Sequence, residues 1–151
     1  MTDLYFAYGS NLLDSEIKRH APDADPVGVA FLTGHRLVFN KHSRSRGGDA
    51  ASLEIFASRV VWGYLYRLTE RGREGLRRRE KGYTEKEVTV QRVLGDNGRT
   101  VAVPAFTFVG EAVCPRPCGP SAGYLTLVIE GARSRSLPTE YVEGIAGEGR
   151  R

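Results

Sequence analysis

Two short stretches of the sequence combine residue types that could bind and transform a small molecule. The first is Tyr8-Gly9-Ser10-Asn11, which follows an alternating apolar run near the N-terminus. A strand that turns into a helix leaves backbone amides unpaired, and these amides, with the helix dipole, favour an anion such as a carboxylate. Gly9 tolerates a positive φ and a close approach of the backbone, and Ser10 and Asn11 could cap the helix. Taken alone, the stretch is more typical of an ordinary capped turn.

The second stretch is RRREKGYTEKEV, in which Glu80 stands between a helix-like segment and a strand-like segment. A helix C-terminus disfavours an ionised carboxylate, nearby Arg and Lys favour it, and burial raises its pKa. A glutamate at such a junction could therefore carry a proton in a reaction. Glu85 and Glu87 follow in the strand-like part, and we expect both to be exposed surface charges.

The elements that would position these residues are short strands and a few helices. Alternating, β-branched and aromatic runs predict six strand segments: Leu4–Tyr8, Arg36–Asn40, Leu53–Phe56, Val60–Leu68, Glu87–Leu94 and Thr100–Val109. The GDNG between the last two predicts a hairpin. Helices are predicted over Leu13–His20, over Glu70–Arg79 with Thr69 as cap, over Ala122–Ala132 with Ser121 as cap, and from Pro138 through Ile145.

The order of these elements predicts the fold class. Strands dominate the middle of the chain and do not alternate strictly with helices, which favours an α+β fold over a doubly wound parallel sheet. The mixed sheet could curl into a barrel. The length of 151 residues predicts one domain, over residues 1–146, with a flexible tail over 147–151. The polar stretch His42–Ser52 is expected to be a mobile loop that could cover a site.

Composition and charge exclude several classes of protein. No apolar run approaches the ~20 residues of a membrane helix, and the N-terminus lacks a basic region before its apolar stretch, so we expect a cytoplasmic protein. The net charge is +4, but the one tight basic run, Arg77–Arg79, is closed by Glu80 and is more typical of a solvated helix face than of a nucleic-acid site.

The remaining nucleophiles and metal ligands do not form a recognisable site. The cysteines of CPRPC, Cys114 and Cys118, have no histidine nearby to complete a zinc site, and we interpret them as incidental loop thiols, with a disulfide as the alternative. Ser10 lies in Tyr-Gly-Ser-Asn rather than in a G-x-S-x-G elbow. His35 is the nearest histidine that could meet Ser10, but no sequence feature directs it there, so a serine hydrolase is disfavoured.

Taken together, the two stretches resemble the γ-glutamyl cyclotransferase superfamily, which includes the AIG2-like proteins. The resemblance lies in YFAYGSNL followed by a helix, in VWGYLYRLT, and in the junction glutamate Glu80. The segment Pro120–Ile145 is similar to the C-terminal part of the γ-glutamylcyclotransferases. The resemblance covers nearly the whole chain.

The resemblance implies a fold, a site and a reaction. The fold is a small mixed β-barrel with flanking helices. The reaction is an intramolecular aminolysis in which the α-amine of a γ-glutamyl group attacks the γ-carbonyl, which yields 5-oxoproline and releases an amine or an amino acid. The catalytic residue is Glu80, and the substrate-binding residues are Tyr8, Gly9, Ser10, Asn11, Leu12, Tyr83 and Tyr124, with the backbone amides of the first five holding the α-carboxylate end.

Such a reaction needs little from the protein, because nucleophile and electrophile are already in one molecule. We therefore expect no metal and no cofactor, a small-molecule γ-glutamyl substrate, and no nucleic acid or membrane, while the oligomeric state stays open. Many members read Glu-Gly at the catalytic position, whereas this chain reads Glu80-Lys81-Gly82, which leaves the branch and the leaving group open. The alternatives are an AIG2-like binding protein without turnover and, last, a basic nucleic-acid-binding module.

Overall fold

The computed structural model describes residues 3–43, 45–111 and 119–148. Within these ranges the chain forms a short 3₁₀ helix, Ser10–Leu12, five strands and four α-helices. The strands are β1 Leu4–Ala7, β2 Asp25–Ser43, β3 Gly48–Arg67, β4 Tyr83–Leu94 and β5 Arg99–Gly110. The helices are α1 Asp14–Ile17, α2 Glu70–Arg79, α3 Ala122–Ser134 and α4 Thr139–Glu148.

The five strands close into a barrel in the order β1-β3-β2-β4-β5. The sheet is mixed, because β1 runs parallel to β5, with Tyr5 opposite Phe106, while the other neighbours are antiparallel. The predicted α+β fold, a small mixed barrel with flanking helices, is therefore confirmed. Closure of the barrel places the short strand β1 between two longer strands, so the turn that follows β1 is held on both sides.

The core fills the barrel interior with aromatic and branched side chains. Phe6, Leu65 and Phe106 are completely buried. Gly63 of β3 stands where a Cβ would lie 2.3 Å from the Ala7 carbonyl oxygen and 2.7 Å from the Phe6 ring. Only glycine permits this contact between β3 and β1, since real Cβ atoms do not approach other atoms so closely.

The two predicted helix caps are confirmed. The Thr69 hydroxyl accepts a hydrogen bond from the Gly72 amide at 3.1 Å at the start of α2. The Ser121 hydroxyl accepts one from the Tyr124 amide at 3.2 Å at the start of α3. Each bond satisfies an amide that would otherwise be left unpaired in the first helical turn. The caps therefore fix where α2, which carries Glu80 at its C-terminal end, begins.

The prediction of a loop over His42–Ser52 is wrong. β2 continues to Ser43 and β3 begins at Gly48, so only a tight turn with Gly47 at φ 69° separates them. Ala50, Ala51 and Ser52 are buried in β3. Small and polar residues are weak strand formers on their own, but pairing with β2 and packing inside the barrel override that weakness. The same pairing extends the predicted strand Arg36–Asn40 into the 19 residues of β2.

Three other expectations concern the cysteines, the C-terminal tail and membrane helices. Cys114 and Cys118 lie outside the described residues. Of the predicted tail, Gly147 and Glu148 belong to α4, and residues 149–151 lie outside the described ranges. None of the helices described is long and apolar enough to cross a membrane.

Candidate active site

A cavity of about 300 Å³ opens beside the segment Gly9–Leu12, which we call the N-terminal turn. The cavity is bordered by this turn, by the β2–β3 turn and by the junction between α2 and β4. Its wall contains four tyrosines, Tyr5, Tyr8, Tyr83 and Tyr124. Among the described residues that line it, Glu80 is the only carboxylate. The two stretches singled out in the sequence therefore meet at one site, although they are about 70 residues apart in the chain.

Glu80 lies at the C-terminal end of α2, where its amide donates to the Leu76 carbonyl at 2.9 Å. The side chain is half-buried, and one carboxylate oxygen accepts a hydrogen bond from the Asn11 amide group at 3.3 Å. Burial raises the pKa of Glu80 above its usual range, and the charges of Arg79 and Arg46 and the hydrogen bond from Asn11 oppose the rise without cancelling it. A carboxylate with a raised pKa is suited to exchange protons near neutral pH.

Asn11 links the two halves of the site rather than capping a helix. Its Nδ2 donates to Tyr5 Oη at 3.0 Å and to Glu80 Oε1 at 3.3 Å. The expectation that Ser10 or Asn11 caps the next helix is wrong, because neither the 3₁₀ helix nor α1 has a side-chain cap. The helix dipole also contributes less than expected, since α1 has only four residues.

The backbone of the N-terminal turn divides into engaged and available amides. The Leu12 amide donates to the Gly9 carbonyl and the Leu13 amide to the Ser10 carbonyl, each at 3.1 Å. The amides of Gly9, Ser10 and Asn11 donate to no acceptor in the described part of the chain. Leu12 itself is completely buried and does not line the cavity. Of the substrate-binding residues expected from sequence, Leu12 is thus the one that the structure does not bring to the cavity.

Gly9 is required for space rather than for its backbone angles. Its φ is −113°, so the positive φ that glycine tolerates is not adopted here. A Cβ at this position would lie 3.3 Å from the Ala51 Cβ and 3.4 Å from the Tyr124 hydroxyl. A single methyl group would already be tight there, and a branched side chain would have to displace the turn or intrude into the cavity.

Gly9→Val is therefore expected to weaken substrate binding while the fold is kept. Overpacking of this size costs enough free energy to raise KM about tenfold. The measurement is KM together with the thermal midpoint of unfolding. Gly144→Val is the matched control, because a Cβ at Gly144 on α4 meets nothing within 4 Å. An unchanged KM in Gly9→Val would show that the turn is not part of the binding site.

The cavity tyrosines are fixed in place by hydrogen bonds to the backbone. The Tyr83 hydroxyl donates to the Ala51 carbonyl at 2.8 Å, and the Ala51 amide donates to the Tyr124 hydroxyl at 3.0 Å. The Tyr8 hydroxyl donates to the Phe108 carbonyl. Burial raises the pKa of all four cavity tyrosines, Tyr5, Tyr8, Tyr83 and Tyr124. The tyrosines are therefore neutral at physiological pH and form a rigid wall of hydroxyls and rings.

Arg46 connects the β2–β3 turn to the N-terminal turn across the cavity. Its guanidinium donates to Glu16 Oε1 at 3.1 Å and to the Ser10 hydroxyl at 3.5 Å. The same group lies 5.3 Å from the centre of the Tyr124 ring, within the range of a cation–π contact. Arg46 thus brings a positive charge to the same side of the cavity as the available amides.

Sequence reasoning missed several residues of the cavity wall, among them Tyr5, Lys41, Arg46 and Ala51. Tyr5 reads as a core residue of an alternating strand, and Lys41, Arg46 and Ala51 fall in or beside the stretch predicted to be a loop. Their signal is weak, because a basic or small residue near a strand end is common on any surface. Only the closure of the barrel brings these residues to Glu80.

The serine-hydrolase alternative receives no support from the position of His35. His35 contacts the Thr33 carbonyl at 2.9 Å and Lys86 at 3.4 Å, and it does not line the cavity that contains Ser10. Among the described residues, no three His, Cys, Asp or Glu side chains lie together as metal ligands would.

Glu85 differs from the expectation of an exposed surface charge, whereas Glu87 is exposed as expected. The carboxylate of Glu85 accepts two hydrogen bonds from Arg73, at 3.1 and 3.0 Å, and lies within 3.5 Å of Arg77. Arg73 is buried with its guanidinium 3.8 Å from the centre of the Phe106 ring. This ion pair supports the α2–β4 junction, and with it the position of Glu80.

Known proteins are similar to this chain in family, sequence and structure. The model of the AIG2-like family matches residues 60–145. Human gamma-glutamylcyclotransferase is 28% identical over 145 residues, which cover 93% of this chain and 75% of the human protein. The bovine gamma-glutamylcyclotransferase is 30% identical over 146 residues, with 91% and 74% covered. A solved gamma-glutamyl cyclotransferase structure superposes with a TM-score of 0.84 at 27% identity, covering 95% of this chain and 85% of that one.

Proposed function

Because the chain belongs to the AIG2-like family, we propose that it is a γ-glutamyl cyclotransferase. The enzyme cyclises the γ-glutamyl group of its substrate to 5-oxoproline and releases the group that was attached through the γ-amide bond. Similarity to the human and bovine gamma-glutamylcyclotransferases over more than nine-tenths of the chain supports this activity. A cytoplasmic location stays a prediction from the sequence.

The observation that carries the assignment of the site is the contact between Asn11 and Glu80 inside the cavity. It joins the N-terminal turn, which offers amides for an anion, to a carboxylate that can move a proton. The γ-glutamyl head carries both matching groups, an α-carboxylate and an α-ammonium. We place the α-carboxylate at the amides of Gly9, Ser10 and Asn11, with Arg46 adding charge, and the α-ammonium beside Glu80.

Glu80 then performs two proton transfers in the reaction. Its carboxylate accepts a proton from the α-ammonium, and the free amine attacks the γ-carbonyl to close a five-membered ring. The protonated Glu80 gives that proton to the leaving nitrogen as the amide bond breaks. The ring nitrogen loses its second proton to solvent, which in turn protonates the released amine. A raised pKa helps the first step, because a more basic carboxylate is a better acceptor for the proton of the α-ammonium group. No other carboxylate among the described lining residues could replace it.

The remaining task is to hold the substrate in the reactive pose while negative charge develops on the γ-carbonyl oxygen. The rigid wall of hydroxyls from Tyr8, Tyr83 and Tyr124 limits how the substrate can lie in a cavity of about 300 Å³. Holding the amine against the carbonyl supplies a large part of the rate in reactions of this kind. A carboxylate does not need all three available amides of the N-terminal turn, and one that it leaves free stabilises the oxyanion, typically by about 3 kcal/mol for a well-placed donor.

The test is a panel of γ-glutamyl dipeptides, glutathione and γ-glutamyl amines, with 5-oxoproline as the measured product. We expect at least one member of the panel to turn over. The competing function is that of an AIG2-like binding protein, for which calorimetry would detect binding of γ-glutamyl compounds while no 5-oxoproline forms. That pair of results would exclude the enzyme and retain only the binding site.

The pH profile tests the role of Asn11. Its hydrogen bond favours the ionised form of Glu80, so Asn11→Ala is expected to raise the pKa of Glu80 further. Because Glu80 must be ionised to accept the ammonium proton, activity falls as the pH drops through this pKa. The acid limb of kcat/KM should therefore move to higher pH in the variant. An acid limb that stays in place or moves to lower pH would contradict this role.

A further inference from the structure

The charges around the cavity exceed what the γ-glutamyl head requires. Among the described residues that line it, four carry positive charge, Lys41, Arg46, Arg79 and Lys81, against one carboxylate, that of Glu80. The head brings one carboxylate and one ammonium, and these charges balance each other. Arg46 is paired with Glu16, and the remaining positive charge at the wall is available to another part of the substrate.

The four cations lie on two sides of Glu80. Arg46 bonds to Ser10 and Glu16, and Arg79 acts electrostatically on His20, which follows α1, so both belong to the side of the N-terminal turn. Lys81 is the residue after Glu80 and precedes Gly82, the last residue before β4. We call the part of the cavity wall beside Lys81, just before β4, the second side of the cavity.

Lys41 extends to the same second side. A Cβ built on Gly82 would lie 2.9 Å from both Cε and Nζ of Lys41, and one built on Gly110 would lie 3.1 Å from its Cδ. Gly82 directly precedes β4, and Gly110 ends β5 opposite Tyr83. The Lys41 side chain therefore lies over this end of the β4–β5 pair. The end of the Lys41 side chain thus lies beside Gly82, the residue that directly follows Lys81.

Neither lysine has an anionic partner within the part of the chain that the structure describes. The ion pairs there include Arg46 with Glu16 and Arg73 with Glu85, but none that involves Lys41 or Lys81. Lys41 is half-buried, so its charge is less well solvated than that of an exposed lysine. A pair of unpaired ammonium groups at the wall of a cavity attracts anionic ligands.

We propose that Lys41 and Lys81 form a subsite for the carboxylates of the leaving group. This inference rests on the proposed function, because the leaving group exists only if the γ-amide bond is broken. The head carboxylate lies at the N-terminal turn, Glu80 stands at the reacting atoms, and the leaving group extends past Glu80 to the two lysines. The preferred substrates are γ-glutamyl amino acids, and an acidic leaving residue, with a second carboxylate, is favoured over a neutral one.

The test is a graded series of three substrates that differ in the charge of the leaving group. γ-Glutamyl-propylamine brings no carboxylate, γ-glutamyl-glutamine brings one, and γ-glutamyl-glutamate brings two in nearly the same shape as glutamine. We expect kcat/KM to increase about fivefold at each step, the factor that the larger ion pairs at partly exposed sites supply. The increase should diminish as salt is added from low to high ionic strength.

Lysine variants assign the preference to the two residues. Lys41→Gln and Lys81→Gln should each reduce the ratio of kcat/KM for the glutamate and glutamine substrates, and the double variant should bring it near one. Lys41→Arg and Lys81→Arg should retain the ratio, because they keep the charge. The matched control is Lys86→Gln on β4, which does not line the cavity and should leave the wild-type ratio unchanged.

The outcomes separate this inference from the function on which it rests. If no γ-glutamyl compound yields 5-oxoproline, the proposed function and the subsite both fail. If 5-oxoproline forms at equal efficiency from all three substrates, the function stands and the subsite is overturned. The subsite is also overturned if the preference for the glutamate substrate survives in the double variant.

Discussion

Replacing Glu80 with glutamine is expected to lower kcat about a thousandfold, within the range typical for loss of a general acid–base. Glutamine has nearly the same shape and can still accept the hydrogen bond from Asn11, so the cavity and substrate binding should be kept. The amide cannot take the ammonium proton, and therefore no amine is generated to attack the γ-carbonyl. The measurement is the rate of 5-oxoproline formation at saturating substrate, with calorimetry for binding.

A second glutamate of α2 provides the control for this experiment. Glu74 lies in the same helix, pairs with Arg77 at 2.9 Å, and does not line the cavity. Glu74→Gln should turn over like the unchanged enzyme. If Glu80→Gln stays within tenfold of the unchanged enzyme, the proton carrier has been assigned to the wrong residue.

The second large effect concerns stability. Glu85→Gln is expected to reduce the free energy of unfolding by about 3 kcal/mol, as is usual when one partner of a buried ion pair is removed. Arg73 keeps only 6% of its side chain exposed and loses the carboxylate that binds it through two hydrogen bonds. Urea unfolding measures the difference. Glu87→Gln, two residues further along β4 at an exposed position, is the matched control and should change stability by less than about 0.5 kcal/mol.

The same pair gives stability a pH dependence of known sign. Hydrogen bonds from Arg73 hold the pKa of Glu85 below its usual range, against the opposing effect of burial. Its contribution is therefore fully present above the pKa of the unfolded chain and is lost as the pH falls through the lower pKa of the folded protein. The stability difference between the unchanged protein and Glu85→Gln should shrink in that acidic window. A difference that stays constant or grows there would mean that the ion pair is not its source.

The sequence allowed the fold class to be predicted because its signals are local. Alternation in Val60–Leu68, the GDNG hairpin, and the capping residues Thr69 and Ser121 each act over a few residues, and tertiary packing did not override them. The loop prediction for His42–Ser52 was wrong for the opposite reason, because the structure there depends on distant segments. The small and polar residues of this stretch become strand only because β2 lies beside them and the barrel interior covers Ala50 and Ala51.

The candidate site was predictable in its parts but not in its arrangement. The N-terminal turn and Glu80 stood out from residue type and from family resemblance, and the structure brings them into contact. The hydrogen bond from Asn11 to Glu80, the role of space rather than backbone angle at Gly9, and the buried position of Leu12 depend on packing between distant segments. The places of Lys41 and Arg46 at the cavity also depend on distant segments, because the pairing of β2 with β3 positions them there.

The position of β1 between β3 and β5 has a consequence for how the protein folds as it is made. The Thr107 hydroxyl donates to the Phe6 carbonyl at 2.7 Å, across a separation of 101 residues. At about 5–20 residues per second, β1 leaves the ribosome roughly 5–20 s before β5 is complete. Contacts of such long range also form slowly in an all-or-none fold. The first strand to be synthesised is thus among the last to be enclosed, and the cavity exists only once it is.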